Sequence, residues 1–150
     1  FAGTLEPGAL LSLTFSEKAG SEWLFLKEAS LLEHTPAWRS SWKGMLVAGF
    51  CLDLAGRLLP ENKAEAGKFA LLRKLLAEVN EANAVERLLL FESDWIRASG
   101  MAPEWREKLN DRPIPNADPA SLQKVLDDFW GSLLGKPLAS RKLLDQVFVV

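Results

Sequence analysis

From Lys136 to Lys142 the chain reads Lys-Pro-Leu-Ala-Ser-Arg-Lys, placing three cations and a hydroxyl within seven residues. Gly135 closes one helical pattern just before this stretch and a second opens inside it, so Ser140, Arg141 and Lys142 lie within one turn near the start of a helix. Free amides at a helix N-terminus, joined by those side chains and by Lys136, can hold a phosphate. A plainer use of the same residues is a capped helix with Arg141 bound to a neighbouring carboxylate, and the sequence leaves both open. Tryptophan stands beside a cation at Trp38-Arg39, Trp42-Lys43 and Trp105-Arg106. Aromatic faces next to cations grip single strands without sequence preference. Trp38 and Trp42, four apart, fit the buried stripe of a helix better, whereas Trp105 with Arg106 lies in an irregular segment and stays a candidate for stacking.

Other chemistry finds little support. The chain has one histidine, His34, and one cysteine, Cys51, the latter among apolar residues mid-helix, so no nucleophile, base and orienting group can be assembled and no catalytic residue is expected. Asp127-Asp128 and Glu104 with Glu107 are pairs of carboxylates, but adjacent helical residues diverge by about 100° and are read as a solvated face. No phosphate-binding glycine loop is present. A single cysteine gives no internal disulfide and no four-ligand structural metal site, so neither a metal nor another cofactor is expected.

The elements that must position these residues follow from periodicity. Residues 9–17 alternate, with Leu11, Leu13 and Phe15 against Ser12, Thr14 and Ser16, and residues 18–21 supply a turn. Trp23 to Glu28 forms a second strand, completing a hairpin. Two strands alone are marginal in water, so the hairpin must pack on further strands, a partner or the rest of the chain. A helix is expected over 37–59 with Trp38, Trp42, Met45, Leu46, Phe50 and Leu54 as its stripe. A second covers 62–79 with Phe69, Leu72, Leu76 and Val79, and a third covers 84–99 with Leu88, Phe91, Trp95 and Ser99, stopped by Gly100. Residues 103–119 hold four prolines and read as an irregular connection with at most a short helical turn over 105–109. Asp118-Pro119 then caps a helix over 120–134, and a last helix covers 137–147.

The 150 residues, 48% apolar and 25% charged, suit a globular protein, with no apolar run near the ~18 residues that span a bilayer and no secretory leader pattern; a cytoplasmic protein is expected. The chain begins at Phe1, which suggests a start other than the natural one. Residues 1–35 hold two lysines against five glutamates, while residues 36–150 hold sixteen basic against fifteen acidic residues. Neither part has the bulk charge of a strong DNA binder, but from Gly131 onward Lys136, Arg141 and Lys142 face only Asp145.

Two segments resemble a known family. Leu134-Gly135-Lys136-Pro137-Leu138-Ala139-Ser140-Arg141-Lys142-Leu143-Leu144 is similar to the C-terminal signature of the bacterial RecO proteins, the DNA-repair mediators of the RecFOR pathway. Leu90-Phe91-Glu92, with Gly100-Met101 following eight residues after the Glu, matches the helix that this family carries before its zinc or degenerate zinc segment. The zinc cysteines of some members are missing here. The resemblance implies an α+β chain: the C-terminal part of an OB-fold β-barrel in residues 1–35, then a mainly α-helical RecO-like domain in residues 36–150. It implies a mediator without chemistry of its own that binds single-stranded DNA, anneals complementary strands and, with RecR, helps RecA replace single-strand DNA-binding protein. It further implies an apolar pocket with a basic lip for the acidic C-terminal tail of single-strand DNA-binding protein. Where some members carry a basic pair, this chain has Leu89 and Leu90. Arg87 would take their place, beside Leu90 and Phe91, if it lies on the same rim. The rival expectation is a helical protein-interaction module that has lost DNA binding, favoured by the net charge of −2 and the absent basic pair. A mediator should present a basic surface, an adaptor an exposed apolar groove.

Overall fold

The computed structural model of the chain describes residues 5–21, 23–33, 37–61, 63–100, 119–135 and 138–148. The chain divides into two compact units, Phe1–Pro36 and Ala37–Val150. Its elements are an antiparallel pair of strands followed, among the described residues, by five α-helices, so it is an α+β protein. No helix among the described residues is long and apolar enough to cross a membrane.

The first unit is a hairpin of β1 (Leu10–Glu17) and β2 (Leu24–Glu33). Its turn is closed by the Ser21 amide donating to the Lys18 carbonyl at 3.0 Å. Strand β2 runs five residues beyond Glu28, where the alternation had been expected to end, because it pairs with β1 along its whole length. Leu11 faces Leu31, Leu13 faces Ala29 and Phe15 faces Leu26, with register shifts between Leu10 and Leu11 and between Thr14 and Phe15. Leu13, Phe15, Leu24, Phe25 and Leu31 all remain exposed within this unit. A two-stranded sheet with so many large side chains bared is marginal in water by itself.

The second unit begins with a 3-10 turn (Ala37–Ser40) and α1 (Trp42–Leu58) in place of the continuous helix expected over 37–59. Ser41 separates them as N-cap: its hydroxyl accepts from the Gly44 amide at 3.0 Å and donates to Glu81 Oε2 at 2.8 Å. Glu81 also accepts from the Lys43 amide at 3.1 Å, which places a carboxylate on the positive end of the helix. The Ser41 hydroxyl, with that amide and charge, holds the Glu81 carboxyl below its usual range. This cap is tight enough to demand glycine at 44, where an added Cβ would stand 2.9 Å from the Trp38 carbonyl oxygen.

The cap also sets which face of α1 is buried. Trp38 is buried from the 3-10 turn, but Trp42 and Met45 face solvent, and the packed side is Val47, Ala48, Phe50, Cys51, Leu54 and Ala55. The stripe expected through Trp42 and Met45 is therefore corrected by roughly one position around the helix. Gly49 lies on the open face, where a Cβ would meet nothing within 4 Å. Gly49→Ala should raise stability by about 1 kcal/mol, from helix propensity alone, while Gly44→Ala should lower it; urea unfolding of the two variants reads both signs.

Helix α2 (Ala66–Glu78) starts four residues later than the expected 62, since its first helical bond runs from the Phe69 amide to the Glu65 carbonyl. Phe69 is exposed, and Leu75, Leu76 and Val79 carry the packing. A turn follows in which the Asn80 amide donates to Asn83 Oδ1 at 2.8 Å and Asn83 Nδ2 to the Glu78 carbonyl at 3.0 Å. Helix α3 (Ala84–Ser99) buries Leu88, Leu89, Phe91, Trp95 and Ile96, and Gly100 closes it with φ 62°. Helix α4 (Pro119–Leu134) buries Leu126, Phe129 and Trp130, and α5 (Ala139–Phe148) buries Leu144 and Val147. Gly135 between them is at positive φ, as its place after a helix predicts. The segment 103–118, with its proposed turn, lies outside the described residues.

Candidate functional site

The first turn of α5 does not hang free over solvent. Its Arg141 reaches inward between α3 and α4, where Nη1 meets Glu92 Oε1 at 2.8 Å and Nη2 pairs with Asp127. The guanidinium also lies 5.0 Å from the centroid of the Phe50 ring on α1. Only 13% of the Arg141 side chain is exposed and none of Glu92. One residue earlier, the Ser140 hydroxyl donates to Asp53 Oδ2 at 2.7 Å, and Arg57 Nε donates to the other oxygen of Asp53 at 3.1 Å. The basic turn is thus tied to α1, α3 and α4 at once. Lys142, next in line, is exposed.

Glu92 is the unusual member, a carboxylate in the middle of the most buried face of α3. Its Oε1 accepts from Trp130 Nε1 at 2.7 Å as well as from Arg141, while Oε2 is buried without a hydrogen-bond partner. Burial pushes its carboxyl up to about 7, although Arg141 and the Trp130 hydrogen bond pull the other way. Burial likewise raises Asp127 against the pull of Arg141, whereas the Ser140 hydrogen bond lowers Asp53. Cys51 is fully buried, and burial followed by the nearby Glu92 carboxylate pushes its thiol well up, which leaves it inert as a nucleophile.

Of the residues named for phosphate contact, Ser140 and Arg141 are brought together and engaged with carboxylates of neighbouring helices, and Lys142 stands at the surface. Lys136, Trp105 and Arg106 lie outside the described residues, as do His34, Glu104 and Glu107. Asp127 and Asp128 are both exposed, as expected of a solvated face, and Asp127 is in addition a partner of Arg141. What sequence reasoning missed is the role of Glu92. A lone acidic residue among Leu88, Leu89, Phe91, Trp95 and Ile96 was the available signal, since a carboxylate on an apolar stripe must find a cation or a proton.

The three residues named for a peptide-tail pocket also converge. Arg87, Leu90 and Phe91 line a small cleft between α2 and α3 of about 60 Å3, together with Leu71, Lys74, Leu75, Glu78 and Asp94. Arg87 is held by Glu78 at 2.7 Å, and Lys74 supplies a second cation at the rim that the spacing along α3 could not reveal.

Over 104 residues, 69% of its length, the chain is 33% identical to the DNA repair protein RecO of Syntrophus aciditrophicus (strain SB). Over the same length it is 32% identical to that of Anaeromyxobacter sp. (strain Fw109-5), and over 90 residues 28% identical to that of Desulforudis audaxviator (strain MP104C). The chain spans about 40% of the length of these relatives. No family model and no solved structure matches.

Proposed function

We propose that this chain, which belongs to the RecO family of DNA repair proteins, is a non-enzymatic part of a recombination mediator that binds single-stranded DNA. The observation that supports this reading most is the coincidence of the family signature with a built feature. Lys142 stands on the first turn of a helix whose N-terminus is fixed by Ser140 and Arg141 to three other helices. In this reading Arg141 is the pin that holds the turn, and phosphate falls to the N-terminal end of α5 with Lys142 and Lys136, while Trp105 and Arg106 add stacking. The bared hairpin would be the last part of an OB barrel, with residues 36–150 as the helical domain. Annealing of complementary strands and assistance to RecA loading with RecR follow as the wider role. The cleft at Arg87 and Lys74 would receive the acidic, apolar C-terminal tail of single-strand DNA-binding protein.

The test is a titration of a fluorescent single-stranded oligonucleotide at low salt and at about 0.2 M, where several phosphate contacts should cost orders of magnitude in affinity. Lys142→Ala should leave stability within about 0.5 kcal/mol of the parent and reduce the slope of log affinity against log salt by about 1. An unchanged slope would remove Lys142 from the contact, and absent binding at low salt would turn the reading to its rival. That rival is a helical protein-interaction module without DNA binding, and the exposure of Trp42 and Met45 side by side on α1 favours it.

A further inference from the structure

Three carboxylates meet the first turn of α5, and they differ in their access to water. The Asp127 side chain is 43% exposed and that of Asp53 32%, whereas none of Glu92 is exposed. The two oxygens of Glu92 are also used unequally. Oε1 accepts from Arg141 Nη1 at 2.8 Å and from Trp130 Nε1 at 2.7 Å, while Oε2 is buried with no hydrogen-bond partner. Two bonds on one oxygen and none on the other is the pattern of a neutral acid that accepts through its carbonyl and carries its proton on the far oxygen. An unpartnered hydroxyl in such a place costs less than an unpartnered oxygen bearing charge. Burial acts in the same direction and brings the Glu92 carboxyl to about 7.

The proposed strand contact lies at this junction, and the junction is crowded with acid. Ser140 is bonded to Asp53, Arg141 is paired with Glu92 and Asp127, and Asp128 and Asp145 act on Asp127 from nearby. A phosphate brought to α5 therefore meets the exposed Lys142 together with this negative charge. Asp53 keeps its charge, since the Ser140 hydroxyl and Arg57 both favour the ionised form. Glu92 is the member placed to give its charge up. The groups that face it are Arg141 from α5, Trp130 and Asp127 from α4, and Cys51 from α1, whose thiol burial keeps neutral. With Glu92 ionised, the Arg141 cation is matched by two carboxylates; with Glu92 protonated it is matched by Asp127 alone. We propose that the junction of Glu92, Arg141 and Asp127 makes single-strand binding proton-linked, the strand binding more tightly when Glu92 is neutral. This rests on the reading of the chain as a single-strand binder. Linkage is reciprocal, so a strand that prefers the neutral form draws a proton from solvent onto Glu92 as it binds. Glu92 acts as a positioning residue, through Arg141, and touches no phosphate itself. Its Oε1 still accepts from Arg141 and Trp130 as a neutral acid, though the bond to Arg141 is weaker without the charge.

The test titrates a fluorescent oligothymidylate at low salt against the full chain and against Glu92→Gln, at pH 6 and at pH 8. Thermal melting first checks that both proteins are folded at each pH. The parent should bind about threefold to fivefold more tightly at pH 6 than at pH 8, the scale of one charge acting through partly wet protein. Glu92→Gln keeps an oxygen for Arg141 and Trp130 but cannot ionise, so it should lose that difference and bind at pH 8 as tightly as it does at pH 6. Calorimetry of the parent at pH 7, in buffers of different ionisation enthalpy, should show proton uptake on binding, a readout that needs no variant to fold. The same pH dependence in both proteins, or binding by the parent without proton uptake, would overturn the linkage and leave the single-strand reading standing. Failure of the parent to bind the strand at either pH would overturn both together.

Discussion

Arg141→Ala is expected to destabilise the helical unit by about 3 kcal/mol at pH 8, and by clearly less at pH 6. Removing one member of a buried ion pair costs about 3–5 kcal/mol when the partner charge stays behind unpaired. Glu92 is that partner, fully buried and bonded through one oxygen to Arg141 and Trp130. Glu92 has an escape, however, because burial already brings its carboxyl to about 7 and loss of the guanidinium would raise it further. At pH 6 the orphaned carboxyl takes a proton and the penalty shrinks to lost packing and hydrogen bonding. Urea unfolding at the two pH values measures both numbers. A double variant, Arg141→Met with Glu92→Gln, should recover most of the loss, since the neutral amide leaves no buried charge unpaired and its oxygen can still accept from Trp130 Nε1. A single variant within 0.5 kcal/mol of the parent at pH 8 would show that Arg141 is no pin. The same energetics bear on function: loss of DNA binding in Arg141→Ala would mix unfolding with lost contact, so Lys142→Ala is the cleaner probe.

The contrast between α3 and α1 shows what the sequence could convey. Along α3 the large side chains Leu88, Phe91 and Trp95 recur at steps of three and four and are the ones that pack, so the face and the Gly100 stop were both legible. On α1 the packed side is built largely from small residues, Gly44, Val47, Ala48, Cys51 and Ala55, which let the helix approach its neighbours closely. A reading weighted by side-chain size instead followed Trp42 and Met45, which face solvent. The displaced start of α1 has a cause that lies 40 residues away in the chain, for it is Glu81 that meets Ser41 and fixes the cap. The site divides in the same way. That Ser140 and Arg141 would open a helix was visible from Gly135 and the residues after it. That their partners would be Asp53, Glu92 and Asp127, on three different helices, was not, because nothing local pairs residues 49 and 87 apart.

Between pH 5 and pH 8 the protein should lose about 2–3 kcal/mol of stability, and Glu92→Gln should flatten that dependence. The ordinary glutamate value is 4.5 and the folded value of Glu92 is about 7, so over the interval between them the native state holds a proton that the unfolded chain has released. A carboxyl raised on folding contributes stability that is fully present below the unfolded value and is lost as pH rises through the folded one. At about 1.4 kcal/mol per pKa unit the ceiling is about 3 kcal/mol. The groups facing Glu92 are Arg141 from α5, Trp130 and Asp127 from α4, and Cys51 from α1. Asp127 is raised too and acts in the same direction, though its partial exposure to water mutes it. Asp53 and Glu81 are lowered and act oppositely, their stabilisation disappearing only as pH falls below the usual carboxylate range. Stability should therefore peak near pH 5 and decline on both sides, with the alkaline limb assigned to Glu92. Chemical unfolding of parent and Glu92→Gln across pH 4 to 8 checks the assignment, and an alkaline limb of equal slope in both proteins would sink it. If the limb belongs to Glu92, the hold of Arg141 on α3 is weakest where the carboxyl is protonated. The turn that carries Lys142 should then be least firmly anchored below neutral pH, even though the fold as a whole is more stable there.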